Sequence, residues 1–154
     1  MSDRGNRERR RIAENRRARF EYEFIDTWEA GIALVGSEVK ALRAGKANLS
    51  DAYAHFEGDQ LVLLNLHIQE YTQANQFNHE PRRPRRLLMH RGELDRLRRE
   101  LREAGLALIP TEIYFNGPHV KVELALARGK KLHDKRDTIA ERDARREMER
   151  ARKR

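Results

Sequence analysis

The sequence contains no cysteine, few aromatic residues and no long apolar run. Without cysteine the chain has no disulfides and no cysteine-bound zinc, which is compatible with a reducing compartment. No apolar stretch approaches the roughly 18 residues that a membrane-spanning helix needs, and no apolar segment follows the charged N-terminus as in a secretory signal. These absences favour a soluble, cytoplasmic protein without a membrane partner.

Charge is abundant and unevenly distributed along the 154 residues, a length that fits one domain. Charged residues make up 38% of the chain and equal the hydrophobic share. Residues 1–19 hold eight basic and three acidic residues, residues 128–154 hold twelve basic and six acidic ones, and the segment between is slightly acidic. A nearly neutral body with two cationic ends is typical of a protein that binds a polyanion.

Apolar spacing predicts a mainly β protein. From Phe20 the aromatic residues alternate, with Tyr22 and Phe24 on the same face, which predicts a strand. Further strands are predicted at residues 48–56, 61–68, 107–115 and 120–127. Two interrupting helices are predicted at residues 38–44 and 87–101, and a polar loop is predicted at residues 71–86. Short strands in hairpin order with interrupting helices indicate an antiparallel β-barrel of the oligonucleotide-binding type with peripheral α-helices.

Three segments follow from this pattern. Residues 1–14 are polar and predicted to form a mobile basic arm, and residues 15–128 are predicted to form the barrel domain. Residues 129–154 form a basic tail that is too poor in apolar side chains to pack, so we expect it to be disordered until it binds a partner. Its many Ala, Glu and Arg residues favour a helix in the bound state.

Basic clusters are the main chemical signal of the chain. Four of them are found, at residues 7–19, 82–86, 96–102 and 128–136. One such cluster is as often a solvated face as a binding site, but four clusters rich in arginine favour contact with phosphates.

Patterns that carry catalysis are missing. Gly129-Lys130 lacks the other residues of a phosphate-binding loop, and the six histidines have no metal-site spacing. Asp26 and Glu29 have no third group to position a substrate. We therefore predict that the protein is not an enzyme and has no catalytic residue, metal or cofactor.

Seven segments in a fixed order closely resemble one known family, the SsrA-binding proteins (small protein B). They are NRRAR at 15–19, EAGI at 29–32, GSEVKALRAG at 36–45, NLSDAY at 48–53, FNHEP at 77–81, RPRRLL at 83–88 and LARGKKLHDKR at 126–136. The resemblance implies an oligonucleotide-binding barrel without catalysis. It also implies two partners: transfer-messenger RNA, bound at the elbow of its tRNA-like domain, and the decoding region of the small ribosomal subunit. The tail then enters the empty mRNA channel of a stalled ribosome.

The same resemblance implies two sets of binding residues. Those for transfer-messenger RNA are Asn15, Arg16, Arg17, Arg19 and Glu29, and Lys121 is a further candidate because of its position on the late strand. Those of the ribosome-binding tail are Gly129, Lys130, Lys131, His133, Asp134, Lys135 and Arg136. Arginine and lysine suit phosphates, and a carboxylate can accept hydrogen bonds from base amino groups.

Two other functions fit parts of the pattern. A ribosomal RNA-binding protein unconnected with the tagging RNA would also have basic ends on a small barrel. A nuclease would need Asp134 or Glu29 to hold magnesium together with at least one more converging carboxylate, and the sequence shows no such cluster.

Overall fold

The computed structural model describes residues 9–71, 78–103, 105–130 and 132–152, except for the side chains at 132–138, 140 and 152. The strands in these ranges are β1 (Arg9–Glu14), β2 (Tyr22–Ile32), β3 (Ala47–Asn48), β4 (Tyr53–Glu57), β5 (Gln60–Leu64), β6 (His67–Ile68), β7 (Arg85–Leu88), β8 (Leu106–Asn116) and β9 (His119–Gly129). The helices are α1 (Arg16–Glu21), α2 (Gly36–Arg43), α3 (Arg91–Leu101) and α4 (Leu132–Arg152).

Antiparallel pairing closes six strands into a barrel. The order around the ring is β8, β4, β5, β7, β2 and β9, and β9 returns to β8 along its whole length. The first strand, β1, extends the barrel by pairing with the second half of β8, and β3 and β6 form a separate ribbon. Closure leaves each barrel strand with a neighbour on both sides, so a small sheet has little exposed edge. The predicted mainly β barrel with peripheral helices is confirmed.

A single apolar core fills the barrel and reaches the helices. Leu63, Ile113 and Val122 point inward from three strands and are fully buried. Leu42 of α2 and Leu97 of α3 join the same cluster with no exposed surface. Each such leucine contributes about 1.5–3 kcal/mol through burial, which fixes the two helices to the barrel.

The N-terminal part of the barrel differs from the prediction. Residues 9–14 are predicted as part of a mobile arm, yet they form β1, with Arg9 opposite Asn116 and Glu14 opposite Glu112. The partly buried Ile12 and Ala13 pack against the core, and this apolar pair is the local reason for a strand. The rest of the predicted arm, residues 1–8, lies outside the described residues.

The start of β2 also differs. The alternating aromatics predict a strand from Phe20, but Phe20 belongs to α1 and the strand begins at Tyr22. Asn15 explains the difference because its side-chain oxygen accepts a hydrogen bond from the Ala18 amide at 3.1 Å. This N-cap satisfies one of the free amides of the first turn and starts a helix within an otherwise strand-like pattern.

The prediction for the segment just before α3 is wrong, because this segment forms a strand. Leu87 and Leu88 are predicted in a helix and Arg85 in a polar loop, but all three belong to β7. Arg85 and Leu87 point inward and are buried, whereas Leu88 points outward. Because Arg85 occupies a buried position, the strand lacks the alternation of apolar and polar residues that would identify it in the sequence.

The tail is helical in the structure, whereas the sequence predicts disorder in the free protein. Helix α4 runs over 21 residues, and all of its described side chains are exposed. Among its described side chains, Arg142 contacts the body, with its guanidinium 5.7 Å from the centre of the Phe20 ring of α1. In its described part the helix therefore depends mainly on helix-favouring residues and little on packing.

Candidate nucleic-acid interface

One row of residues runs across five neighbouring strands on the outside of the barrel. Each member lies directly opposite the next, in the order Leu88, Gly31, Lys121, Tyr114 and Arg11. Directly opposed residues share one face of a sheet, so these five form a continuous line. We call it the Gly31 row.

A notch interrupts the Gly31 row at its glycine. Gly31 has no side chain between Leu88 on one side and Lys121 on the other, and a Cβ atom placed there would lie 3.4 Å from the Leu88 Cβ. Leu88 is 47% exposed, so its side chain is accessible on this face. The Gly31 notch thus brings an exposed leucine, a lysine and bare strand backbone side by side.

A second row of the same face consists of four glutamates. Each glutamate is the cross-strand partner of the next, in the order Glu29 of β2, Glu123 of β9, Glu112 of β8 and Glu14 of β1. Like charges placed opposite each other destabilise a sheet unless cations or ligands neutralise them. We call it the glutamate row.

Three arginines neutralise most of the glutamate row. Arg9 lies 3.1 Å from Glu112 and 3.5 Å from Glu123. Arg11 lies 3.0 Å from Glu14 and 3.5 Å from Glu112, and Arg16 reaches Glu14 at 4.0 Å. These ion pairs connect α1 to the middle of the barrel face in one unbroken chain.

Glu29 is the exception in this row. No basic side chain of the described residues forms an ion pair with it, although it is exposed. Its Oε2 atom accepts a hydrogen bond from the hydroxyl of Tyr114. Burial, together with this bond to the Glu29 carboxylate, raises the pKa of Tyr114 above its ordinary value, so the phenol stays protonated and donates.

The predicted arginines of α1 lie on the helix that follows β1, and Arg16 reaches the glutamate row through Glu14. Arg16 is 90% exposed, and Arg19 is exposed as well. Arg17 is paired with Glu21 at 2.8 Å and with Asp51 at 3.8 Å, so a phosphate would compete with two carboxylates for it. All three side chains are exposed, and Arg16 is the one that an ion pair with Glu14 links to the barrel face.

Asn15 has a different place from the other predicted RNA-binding residues. It is buried, and its side-chain amide donates to the carbonyls of Leu49 at 3.2 Å and Pro110 at 3.0 Å. With its oxygen used by the cap of α1, all polar atoms of the side chain are occupied within the protein. Asn15 orients α1 and presents no free group to a ligand.

Half of the predicted basic cluster at residues 82–86 is also structural. Arg83 and Arg85 both donate to the carboxylate of Glu38, which has no exposed surface. Burial alone would raise the pKa of Glu38, but the hydrogen bonds from Arg83, the Val35 amide and Arg85 outweigh it, so this pKa lies below its ordinary value. Arg82 and Arg86 remain exposed.

The predicted tail residues begin where β9 ends. Gly129 is exposed, and Lys130 donates from its backbone amide to the Glu21 carbonyl at 2.9 Å and from its ammonium group to the Arg19 carbonyl at 3.2 Å. These bonds fasten the start of the tail to α1. The other predicted tail residues are Lys131, which lies outside the described residues, and His133, Asp134, Lys135 and Arg136, which occupy the first turns of α4 and whose side chains lie outside the description.

Glu29 and Lys121, both predicted from the sequence, lie on this face, whereas sequence reasoning did not single out Leu88, Gly31 or Tyr114. Leu88 was hidden by its assignment to a helix, and Tyr114 by its place between two core residues of β8. Within the described ranges, no three His, Asp or Glu side chains converge on a possible metal site, and no helix is long and apolar enough to span a membrane.

The barrel and its charged face define a class, the small RNA-binding β-barrel proteins. The sequence profile described as "SmpB protein" matches residues 12–154. An SsrA-binding protein of Desulforamulus reducens is 62% identical over 91% of this chain and 88% of its own, and one of Pelotomaculum thermopropionicum is 59% identical over 91% and 92%. A solved structure described as "tmRNA-SmpB: a journey to the center of the bacterial ribosome" matches with a TM-score of 0.67 and 51% identity, over 78% of this chain and 85% of that one. The chain belongs to the SmpB protein family.

Proposed function

We propose that the protein binds the tRNA-like domain of transfer-messenger RNA and delivers it to stalled ribosomes for trans-translation. The observation that carries the proposal is the Gly31 notch, with Glu29 beside it and the arginines of α1 at its edge. RNA helices hide their bases in a deep major groove, so proteins read unstacked bases and backbone shape instead. A notch with an apolar wall, a cation and a carboxylate suits one splayed base.

Each part of the face has its own role in this proposal. Leu88 packs against the plane of the base, Lys121 contacts a neighbouring phosphate, and Glu29 accepts hydrogen bonds from the base edge. Arg16, Arg17 and Arg19 neutralise phosphates beside the elbow of the RNA. Asn15 holds the helix that carries these arginines.

The tail has the second role. Residues 133–136 contact ribosomal RNA in the decoding region, and the rest of α4 lies in the empty mRNA channel, where rRNA phosphates stabilise a helix that the body hardly supports. In the free protein such a helix is marginal, because few tertiary contacts hold it. The action of the protein is binding without catalysis, and its place is the cytoplasm, where it meets the ribosome.

The alternative of a ribosomal protein unconnected with transfer-messenger RNA is less well supported. Relatives with 59% and 62% identity carry the name SsrA-binding protein. Recovery of the bound RNA from cells, followed by sequencing, distinguishes between these two functions. Enrichment of transfer-messenger RNA supports the proposal, and enrichment of ribosomal RNA alone would reject it.

Filling the notch tests the site. Gly31→Val is expected to weaken binding to the isolated tRNA-like domain by about tenfold or more, because the branched side chain takes the space of the base. The backbone of Gly31 is ordinary strand and its Cβ position is open enough for a methyl group, so the thermal unfolding temperature should hardly change. Gly31→Ala is the matched smaller step and should weaken binding less. Unchanged affinity of a folded Gly31→Val variant would remove the notch from the binding surface.

Salt dependence tests the phosphate contacts. With about four cations on phosphates, the logarithm of the binding constant should fall with the logarithm of salt concentration with a slope of about −3 to −4. The Arg16→Gln/Arg19→Gln variant should reduce this slope by about 1.5. A flat response between moderate and high salt, measured by filter binding, would contradict a phosphate-dominated edge.

A further inference from the structure

Tyr114 is a buried tyrosine at the centre of the barrel face. Only 2% of it is exposed, because the Arg9 guanidinium covers its ring at 3.7 Å from the ring centre. Its hydroxyl nevertheless reaches the exposed Glu29 and donates a hydrogen bond to it. Tyr114 therefore cannot touch a ligand on this face, but it can act through Glu29.

The charge balance of the glutamate row leaves one carboxylate available. Arg9, Arg11 and Arg16 are already paired with Glu14, Glu112 and Glu123, whereas Glu29 has no cation partner within the described ranges. A phosphate would be repelled at this point of the face. A group with N–H donors, in contrast, would satisfy the unpaired carboxylate.

The geometry of a carboxylate selects among nucleobases. Its two oxygens lie side by side and accept hydrogen bonds from two neighbouring donors. On its Watson–Crick edge guanine presents two adjacent donors, the N1–H and the N2 amine, whereas adenine and cytosine present one amine beside an acceptor and uracil presents one N–H. The bond from Tyr114 occupies only one lone pair of Oε2, so both oxygens of Glu29 can still accept.

We propose that Tyr114 is a positioning residue that holds Glu29 as a fixed acceptor for the Watson–Crick edge of an unpaired guanine. The inference rests on the proposed function, since it assigns a specific base to the same face. It places base reading in the middle of the face and phosphate contacts at its edge. Arg9 supports the arrangement by covering the Tyr114 ring and by neutralising Glu112 and Glu123.

The test combines protein and RNA changes. The probe is the tRNA-like domain of transfer-messenger RNA in which each unpaired guanosine of the D-arm region is replaced, one at a time, by inosine, which lacks the N2 amine. The wild-type protein should bind one of these RNAs about tenfold more weakly than the unmodified RNA. Glu29→Gln should bind unmodified RNA more weakly and lose this discrimination, because an amide offers one acceptor and one clashing donor.

Tyr114→Phe removes only the hydroxyl. It should keep the fold, bind unmodified RNA several-fold more weakly and reduce the tenfold discrimination against inosine to about threefold or less. A merely structural role would lower stability without changing the ratio between the two RNAs. If Tyr114→Phe discriminates as the wild type does, or if no inosine substitution weakens the wild type, the inference is wrong. If Glu29→Gln and Gly31→Val both bind unmodified RNA normally, the proposed RNA surface itself has failed.

Discussion

Replacing Glu38 by glutamine is expected to lower the free energy of unfolding by about 3–5 kcal/mol, a large part of the roughly 5–15 kcal/mol that stabilises a typical domain. Glu38 is fully buried, and its carboxylate accepts hydrogen bonds from Arg83, Arg85 and the Val35 amide. Glutamine keeps the size of the side chain but removes the charge that compensates Arg85, which also has no exposed surface. An uncompensated buried guanidinium is among the most unfavourable states in a protein interior.

The expected loss of stability is large because the Glu38–Arg85 ion pair joins three parts of the chain. Glu38 lies in the first turn of α2, and Arg85 also donates to the carbonyls of Leu66 at 2.5 Å and Pro81 at 3.0 Å. One buried group of charges thus joins α2, β7 and the segment before β7. Loss of the pair should loosen the edge of β7 that carries Leu88, so RNA affinity should fall together with stability.

The pH dependence of stability gives an independent check. The lowered pKa of Glu38 means that its stabilising contribution is complete above the ordinary glutamate value of about 4.3 and is lost as pH falls through the folded-state value. The difference between wild type and Glu38→Gln should therefore shrink in that acidic range. Chemical denaturation at several pH values measures it, with Glu23→Gln, an exposed glutamate of β2, as the matched control. A loss below 1 kcal/mol at pH 7, or one equal to that of Glu23→Gln, would contradict this account.

The fold was largely predictable because most strands carry a regular apolar alternation. The β8–β9 hairpin is an example, since its Gly117 has the positive φ of 61° that the Asn116-Gly117-Pro118 turn requires. Two of the errors occur where a buried polar residue determines the local structure. Asn15 starts a helix by capping it, and Arg85 occupies a core position of β7 because Glu38, far away in sequence, neutralises it.

The candidate site was only partly predictable for a similar reason. Glu29 was predicted by resemblance and Lys121 by its position on the late strand, but the notch exists because strand register places Leu88, Gly31 and Lys121 side by side. The bond between Tyr114 and Glu29 spans 85 positions of the chain, so no local pattern indicates it. Residues so distant in sequence come into contact only when the strands of the barrel pair.

Removing residues 133–154 is expected to abolish peptide tagging on stalled ribosomes while leaving the barrel folded and bound to transfer-messenger RNA. In the described part of α4 the contact with the body is that of Arg142 with Phe20, so the thermal unfolding temperature should change little. Affinity for the tRNA-like domain should fall by no more than the nonspecific loss of positive charge explains. Tagging should fail because no segment would occupy the empty mRNA channel. Tagging assays with purified ribosomes, beside RNA binding, separate the two functions.

Loss of positive charge alone could produce the same result, so a charge-matched variant is needed. Changing Asp134, Lys135 and Arg136 to alanine and adding one lysine after Arg154 keeps the net charge of the tail and, because alanine favours helices, keeps α4. We expect this variant to bind transfer-messenger RNA normally and to lose at least about tenfold in tagging rate, because two charge-assisted phosphate contacts are each worth roughly 1.5–3 kcal/mol. Tagging at the wild-type rate would show that the tail acts through charge alone, and the role assigned to residues 134–136 would be wrong.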